Sequence, residues 1–369
     1  MSILIVPTQY QTLQEAINAA IPGDEINILP DTTLVENIQI IGKDNISILG
    51  LNKTVVLDGA TIGGTAALIE SNNVTIRGMV FQNFDQGVVI IGNENIMMNV
   101  TSKKHDRSGF VIIGNYNQVI ESISDKNGSV GIDLSGNYNQ VIATRLDSNQ
   151  RGVTATSGEV IGNIFYKNIF INNFEFGARI ASTNADKCVF IENTINGSQY
   201  GLLINFGSVA VIANYFNNIN NINNTSLSYK DNNGLILENT FVMSNVGMYL
   251  EICNSLVASN TTQTGKFIGI NVSGNDNVVI RNITLSYEGT GLLVNGCSNI
   301  ICNNISQNNG ENKIISGDCN IENCNCRYCA ALGCKDKFIS KNNTNYLGFL
   351  DLFKNSVGNY YNCKGNLNY

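Results

Sequence analysis

The chain has 369 residues, 43% of them hydrophobic, and a formal net charge of −7 at pH 7. Charged residues make up only 14% of it, well under the roughly 25% of an average soluble protein, so its polarity rests on uncharged groups. Its twenty-two Lys and Arg are spread over the whole length, which excludes a phosphate-neutralising surface and with it a nucleic-acid partner.

No stretch reaches the ~18 consecutive apolar residues of a membrane span, and Met1 to Pro7 has neither the basic nor the apolar region of a signal peptide. The sequence therefore predicts no membrane span and no signal peptide, and leaves a cell or spore surface and the cytoplasm both open. Sixty Asn and thirty-five Gly stand against three Pro and no Trp, the composition of many short, regular turns rather than of a disordered linker.

In chain order, Thr12-Leu-Gln-Glu15 is a capping box, with Leu13, Ala16, Ile17 and Ala20 on one helical face and Pro22-Gly23 as the stop. A short amphipathic helix is expected to plug the N-terminal end, within a cap of residues 1–24. From there a repeat dominates. The segments beginning at Gly87, Gly109, Gly131, Gly152, Gly177, Gly201, Gly247, Gly269 and Gly291 share a Gly-apolar-x-apolar pattern, spaced by 21 to 25 residues with one double interval of 46. In phase with it run Gly92-Asn93-Glu94-Asn95, Gly114-Asn115-Tyr116-Asn117, Gly136-Asn137-Tyr138-Asn139 and Gly274-Asn275-Asp276-Asn277.

Apolar runs of three to five β-prone residues bounded by Gly and Asn are too short for helices. A period of about 22 fits an all-β, single-domain right-handed parallel β-helix in which each repeat is one coil. It would occupy residues 25–327, with Asn at left-handed corners and amide bonded to amide from coil to coil. Residues 328–369, with Tyr346, Leu347, Phe349, Leu350, Leu352 and Phe353, read as a C-terminal Cys/aromatic cap or an oligomer contact.

The opening from Thr12 to Asp24, with Ile28-Leu-Pro-Asp31, Ile46-Ser-Ile-Leu-Gly50 and Val56-Leu-Asp-Gly59, resembles that of the pectate-lyase-like right-handed parallel β-helix superfamily. The later coils resemble its NosD-type, carbohydrate-binding and sugar-hydrolase repeats. The resemblance covers the chain to about residue 327 and implies the fold. It leaves function open among lyases, hydrolases, epimerases, esterases and non-catalytic surface proteins. The catalytic signatures of polygalacturonases, pectate lyases and pectin methylesterases are not found in this sequence.

Where charge is scarce, clusters carry information. Asp85, His105-Asp106-Arg107, Asp125-Lys126, Arg151 and Glu175 precede the glycine ladder on successive coils. Stacked, they would line one side with carboxylates for proton transfer and guanidinium forks for an acidic sugar. Asp85 and Asp106 are the best carboxylate pair, with Arg107 as their partner and His105, Arg151 and Glu175 as substrate-binding candidates; a solvated, salt-bridged stripe and a surface histidine are the plain alternatives. Asp85, Asp106 and Glu175 are also the one set suited to calcium, although spacing alone does not establish a site, and no other cofactor is expected. Tyr116 and Tyr138 share a corner position, as a sugar platform or as an aromatic rung.

Cys253, Cys297 and Cys319 fall where other coils carry corner Asn, and Cys302 and Cys324 where they carry apolar strand residues. Cys297 with Cys319, and Cys326, Cys329, Cys334 and Cys363, are the disulfide candidates. A tetrahedral zinc is the alternative, weakened by the lack of a second Cys-x-x-Cys and of a His. The leading functional expectation is a non-catalytic structural or glycan-binding surface protein, part of a cysteine-cross-linked coat, whose partners are polysaccharides, surface-layer proteins or its own copies. The alternatives are a polysaccharide lyase or glycoside hydrolase acting in a surface groove, and a trimeric tailspike-like adhesin.

Overall fold

The computed structural model describes residues 2–217, 225–317 and 320–322. It is a parallel β-solenoid of the right-handed type with about 22 residues per turn. The described chain forms two compact units, one holding residues 2–160, 165–182 and 193–202, the other residues 161–164, 183–192 and those described from 203 to 322.

In the first unit each coil contributes a strand to three parallel sheets. One coil runs Ile96–Met98 in the first sheet, Thr101–Lys103 in the second and Phe110–Ile113 in the third. The next coil repeats it 22 residues on, so that Met97 lies over Val119, Ser102 over Ser124 and Ile112 over Leu134. Alternation decides which residues point inward. Val88 and Ile90 are fully buried while Val89 between them is half-buried. Inside, like residues stack in columns, as with Ile48, Ile76, Met97, Val119 and Val141.

The second unit repeats the scheme with longer third-sheet strands, Thr225–Asn232 and Val246–Cys253 among them. Phe216 and Phe241 stack in its core at 4.6 Å between ring centroids. Cys302 lies in register with Ile280 and is buried, as its repeat position requires.

The repeating glycine has a steric cause. A Cβ on Gly87 would sit 2.1 Å from the carbonyl oxygen of Gly109 and 2.6 Å from Ser102 Oγ, where coils approach too closely for any side chain. The coil-to-coil amide ladder expected of asparagine is present, but its rungs are not the left-handed residues: at the Gly-Asn-x-Asn corners those are Glu94, Tyr116 and Tyr138. The left-handed residue between the first and second sheets is Asn99 in one coil but Glu121, Ala143 and Lys167 in those that follow. The buried Asn side chains bond one another and also satisfy backbone groups between coils. Asn95 N and Nδ2 both donate to Asn117 Oδ1, at 3.0 and 3.1 Å, and Asn117 Nδ2 donates to the Gly92 carbonyl at 2.9 Å. In the second unit Asn214, Asn239, Asn260, Asn282 and Asn304 form such a ladder.

At the N-terminal end the helix is Leu13–Ala19, capped reciprocally by Thr12 and Glu15, with Leu13, Ala16 and Ile17 buried. Ile3–Val6 pairs with Glu25–Ile28, so the first sheet begins before the helix.

Candidate functional site

The turn into the third sheet of the first unit stacks its residues by backbone bonds. Arg107 N donates to Asp85 O at 2.9 Å, Ser129 N to Arg107 O at 3.0 Å, Arg151 N to Ser129 O at 3.0 Å and Tyr200 N to Glu175 O at 2.9 Å. The repeat thus brings Asp85, Arg107, Gln150 and Glu175 into one column, with Arg151 one residue on, in register with Val130 and Phe176. Asp125 lies elsewhere, in register with Lys103 and Asp147 at the end of the second sheet. Its coil places Ser129, four residues further on, in the turn column instead.

Asp85, Asp106 and Arg107 are exposed. The Asp85 carboxylate accepts the Gly64 N–H at 2.8 Å and so pins the turn before it. Arg151 and Glu175 hold each other through two bonds, Nε to Oε2 at 2.7 Å and Nη2 to Oε1 at 3.3 Å, and Gln150 Nε2 donates to the same carboxylate at 2.7 Å. These hydrogen bonds, chiefly from Arg151, hold the Glu175 carboxyl below its ordinary range and raise the guanidinium in return. Among the described residues no three His, Cys, Asp or Glu side chains gather to hold a metal ion, so Asp85, Asp106 and Glu175 do not form the calcium set their spacing suggested.

His105 is neither a surface residue nor placed to touch a substrate. It is 2% exposed, with Nδ1 toward the Phe84 N–H and Nε2 against Ser102 Oγ. Burial drives its pKa down to about 4. The sequence misled here because His105 stands where the following coils carry a buried ladder Asn, and its exposed neighbours disguised that position.

Tyr116 and Tyr138 stack on each other, with centroids 5.2 Å apart and planes within 11°. Both rings stay exposed, at 53% and 36%, while packing on each other. Cys253 and Cys297 carry free thiols in one corner column, with Asn275 between them. Cys319, Cys326, Cys329, Cys334 and Cys363, with the aromatic cap, lie outside the described residues.

Five residues that sequence reasoning passed over complete the face. Outward on the third sheet, Val89 and Val111 are followed in register by Asp133, Thr154 and Arg179. Thr154 Oγ1 donates to Asp133 Oδ1 at 2.9 Å. The Arg179 guanidinium lies 5.5 Å from the Phe176 ring centroid, and Phe176 meets Tyr200 at 5.7 Å. The Arg179 Nε atom is buried without a hydrogen-bond partner. The signal was present in Gly131-Ile-Asp133-Leu134 and Gly177-Ala-Arg179-Ile180, where charge replaces the Val of earlier repeats.

No family model and no curated protein matches the sequence. Solved structures do match in fold. A mannuronic acid specific polysaccharide family 6 lyase from human gut microbiota superposes with a TM-score of 0.58 at 10% identity, over 97% of this chain and 100% of its own. PfbA, a surface adhesin of Streptococcus pneumoniae, gives 0.57 at 12% identity over 84% and 89%. The periplasmic alginate epimerase AlgG gives 0.54 at 11% over 87% and 82%. Among the described residues no helix is long and apolar enough to cross a membrane. With its three stacked parallel sheets and 22-residue turn, the chain has the fold of the pectate-lyase-like right-handed parallel β-helix superfamily.

Proposed function

We propose that this protein is a non-catalytic carbohydrate-binding β-helix whose ligand lies on the outward third-sheet face of the first unit. The observation that carries this reading is Arg179, whose Nε is buried without a partner beside Thr154, Asp133 and Phe176. A buried N–H left unpaired is costly, and a sugar hydroxyl or carboxylate supplies the missing acceptor once the half-buried Arg179 side chain swings outward to meet it. The Phe176 and Tyr200 rings offer apolar surface to the sugar's C–H face. Against turnover, the Glu175, Asp133 and Asp85 carboxylates already hold protein partners, and the one His of the chain is sequestered.

A lyase or hydrolase remains the second reading, favoured by Asp85, Asp106 and Arg107 being exposed on neighbouring coils. In it Asp106 is the acid/base and Arg107 and Arg151 bind substrate.

One experiment separates the two. A panel of acidic and neutral polysaccharides is tested for binding and for release of reducing ends or unsaturated products, using the wild type, Arg179→Ala and Asp106→Ala/Arg107→Ala. Binding weakened at least about tenfold by Arg179→Ala, with no product from any protein, supports the binding reading; one lost charge-assisted bond is worth that much. Product that disappears in the double variant overturns it.

A further inference from the structure

Asn127 and Asn149 define what the third ladder position demands. Asn127 Nδ2 donates to Ser124 Oγ at 3.0 Å, and Ser124 Oγ donates onward to Gly131 O at 2.8 Å. Asn149 Oδ1 accepts the Asn127 N–H at 3.1 Å. One coil earlier the same bonds are made by a ring. Ser102 Oγ donates to Gly109 O at 2.7 Å, so its 3.0 Å contact with His105 must be accepted from an Nε2–H. The Phe84 N–H then points at an unprotonated Nδ1 at 3.3 Å. Nδ1 replaces the amide oxygen and Nε2–H the amide nitrogen, which fixes a single neutral tautomer.

We propose that His105 is an acid-released latch on the turn carrying Asp106 and Arg107: a proton at Nδ1 sets two donors against each other and opens that turn. Among the described residues no counter-charge bonds the ring. Strand Met79–Gln82 and Phe84 present backbone and apolar groups, strand Thr101–Lys103 presents Ser102, and the next coil presents Asn127. The nearby charges, Asp85, Lys104, Asp106, Arg107 and Lys126, are exposed, and Asp125 is half-buried against Lys126. The Asn rungs at 127, 149 and 173 have no equivalent proton site, so among these rungs only His105 titrates. The latch stands on the geometry of the turn alone and is independent of the carbohydrate reading.

The sign follows from burial. The unfolded ring takes up its proton near the ordinary 6.5 and the closed latch only near 4. Opening therefore becomes easier as pH falls through that window, by up to about tenfold per pH unit, and levels off below it.

The test uses the full chain, whose single histidine gives one imidazole signal in an isotope-labelled NMR titration. Hydrogen exchange, corrected for intrinsic rate, is followed in parallel for segments 84–87 and 104–109, with 168–173, which holds the Asn173 rung and no titratable side chain, as reference. The expected result is an imidazole neutral well below pH 6.5, and protection that falls with acid in the two segments but not in the reference. His105→Asn, which restores the ladder residue, should keep protection flat with pH. An imidazole titrating near 6.5 without loss of protection, or the same acid response in His105→Asn, overturns the latch. Should that variant not fold, the wild-type titration and exchange decide alone.

Discussion

Arg151 and Glu175, 24 residues apart in sequence, meet across adjacent coils in a two-bond ion pair that closes one side of the candidate face. The pair is partly exposed, with side-chain accessibilities of 36% and 25%. Water competes for it, so its contribution to stability is expected to be about 1 kcal/mol or less. The lowered Glu175 carboxyl places that contribution above its ordinary value of 4.5, and it is lost as pH falls below it. A double-mutant cycle of Arg151→Ala and Glu175→Gln by urea unfolding should give a small coupling at pH 7 that shrinks progressively as the pH is lowered below 4.5.

Gly87→Ala should be far more damaging than its single carbon suggests. Because the new Cβ meets backbone carbonyl at 2.1 Å rather than a mobile side chain, the coils must separate, at about 3 kcal/mol. The check is the urea midpoint, which should drop with an unchanged slope.

Removing a ladder amide leaves backbone groups stranded. Asn239 Nδ2 donates to Val211 O at 2.7 Å and its Oδ1 accepts from Asn214 N at 2.9 Å. Asn239→Ala strips partners from both inside the second unit and should cost about 3 kcal/mol. Asn232→Ala, at an exposed position, is the control and should fall within about 0.5 kcal/mol of wild type. Thermal unfolding of the two variants makes the comparison.

One substitution should stabilise. Ala143 is held at φ 50°, a left-handed conformation that costs an L-residue about 1–2 kcal/mol. Glycine removes that strain and adds back about 0.5–1 kcal/mol of unfolded-chain entropy. Ala143→Gly is therefore expected to gain about 0.5 kcal/mol, read as a raised melting temperature; a loss would mean the corner is not strained.

The architecture was legible because it is periodic. Glycine at 87, 109 and 131 and Asn at 95, 117 and 139 each answer a local steric or hydrogen-bonding demand that recurs every coil, so the demand is written repeatedly along the chain. The capping box at Thr12 and Glu15 was legible for the same reason, since both partners lie within one turn. The site was only half legible. Asp85, Arg107 and Glu175 could be stacked by counting, with Arg151 one residue away, but Asp133 and Arg179 sat inside strands and passed for scaffold.

What the sequence determined by itself, then, was everything set by period and by neighbours a few residues apart: parallel coils, a capped helix, and glycine where backbones touch. What only the tertiary structure decided was direction. Whether a side chain points in or out depends on strand parity and on contacts with the coils above and below. Contacts with the neighbouring coils buried His105 in its turn between Phe84 and Ser102 while leaving Asp106 beside it in water, and strand parity turned Arg179 outward beside Phe176.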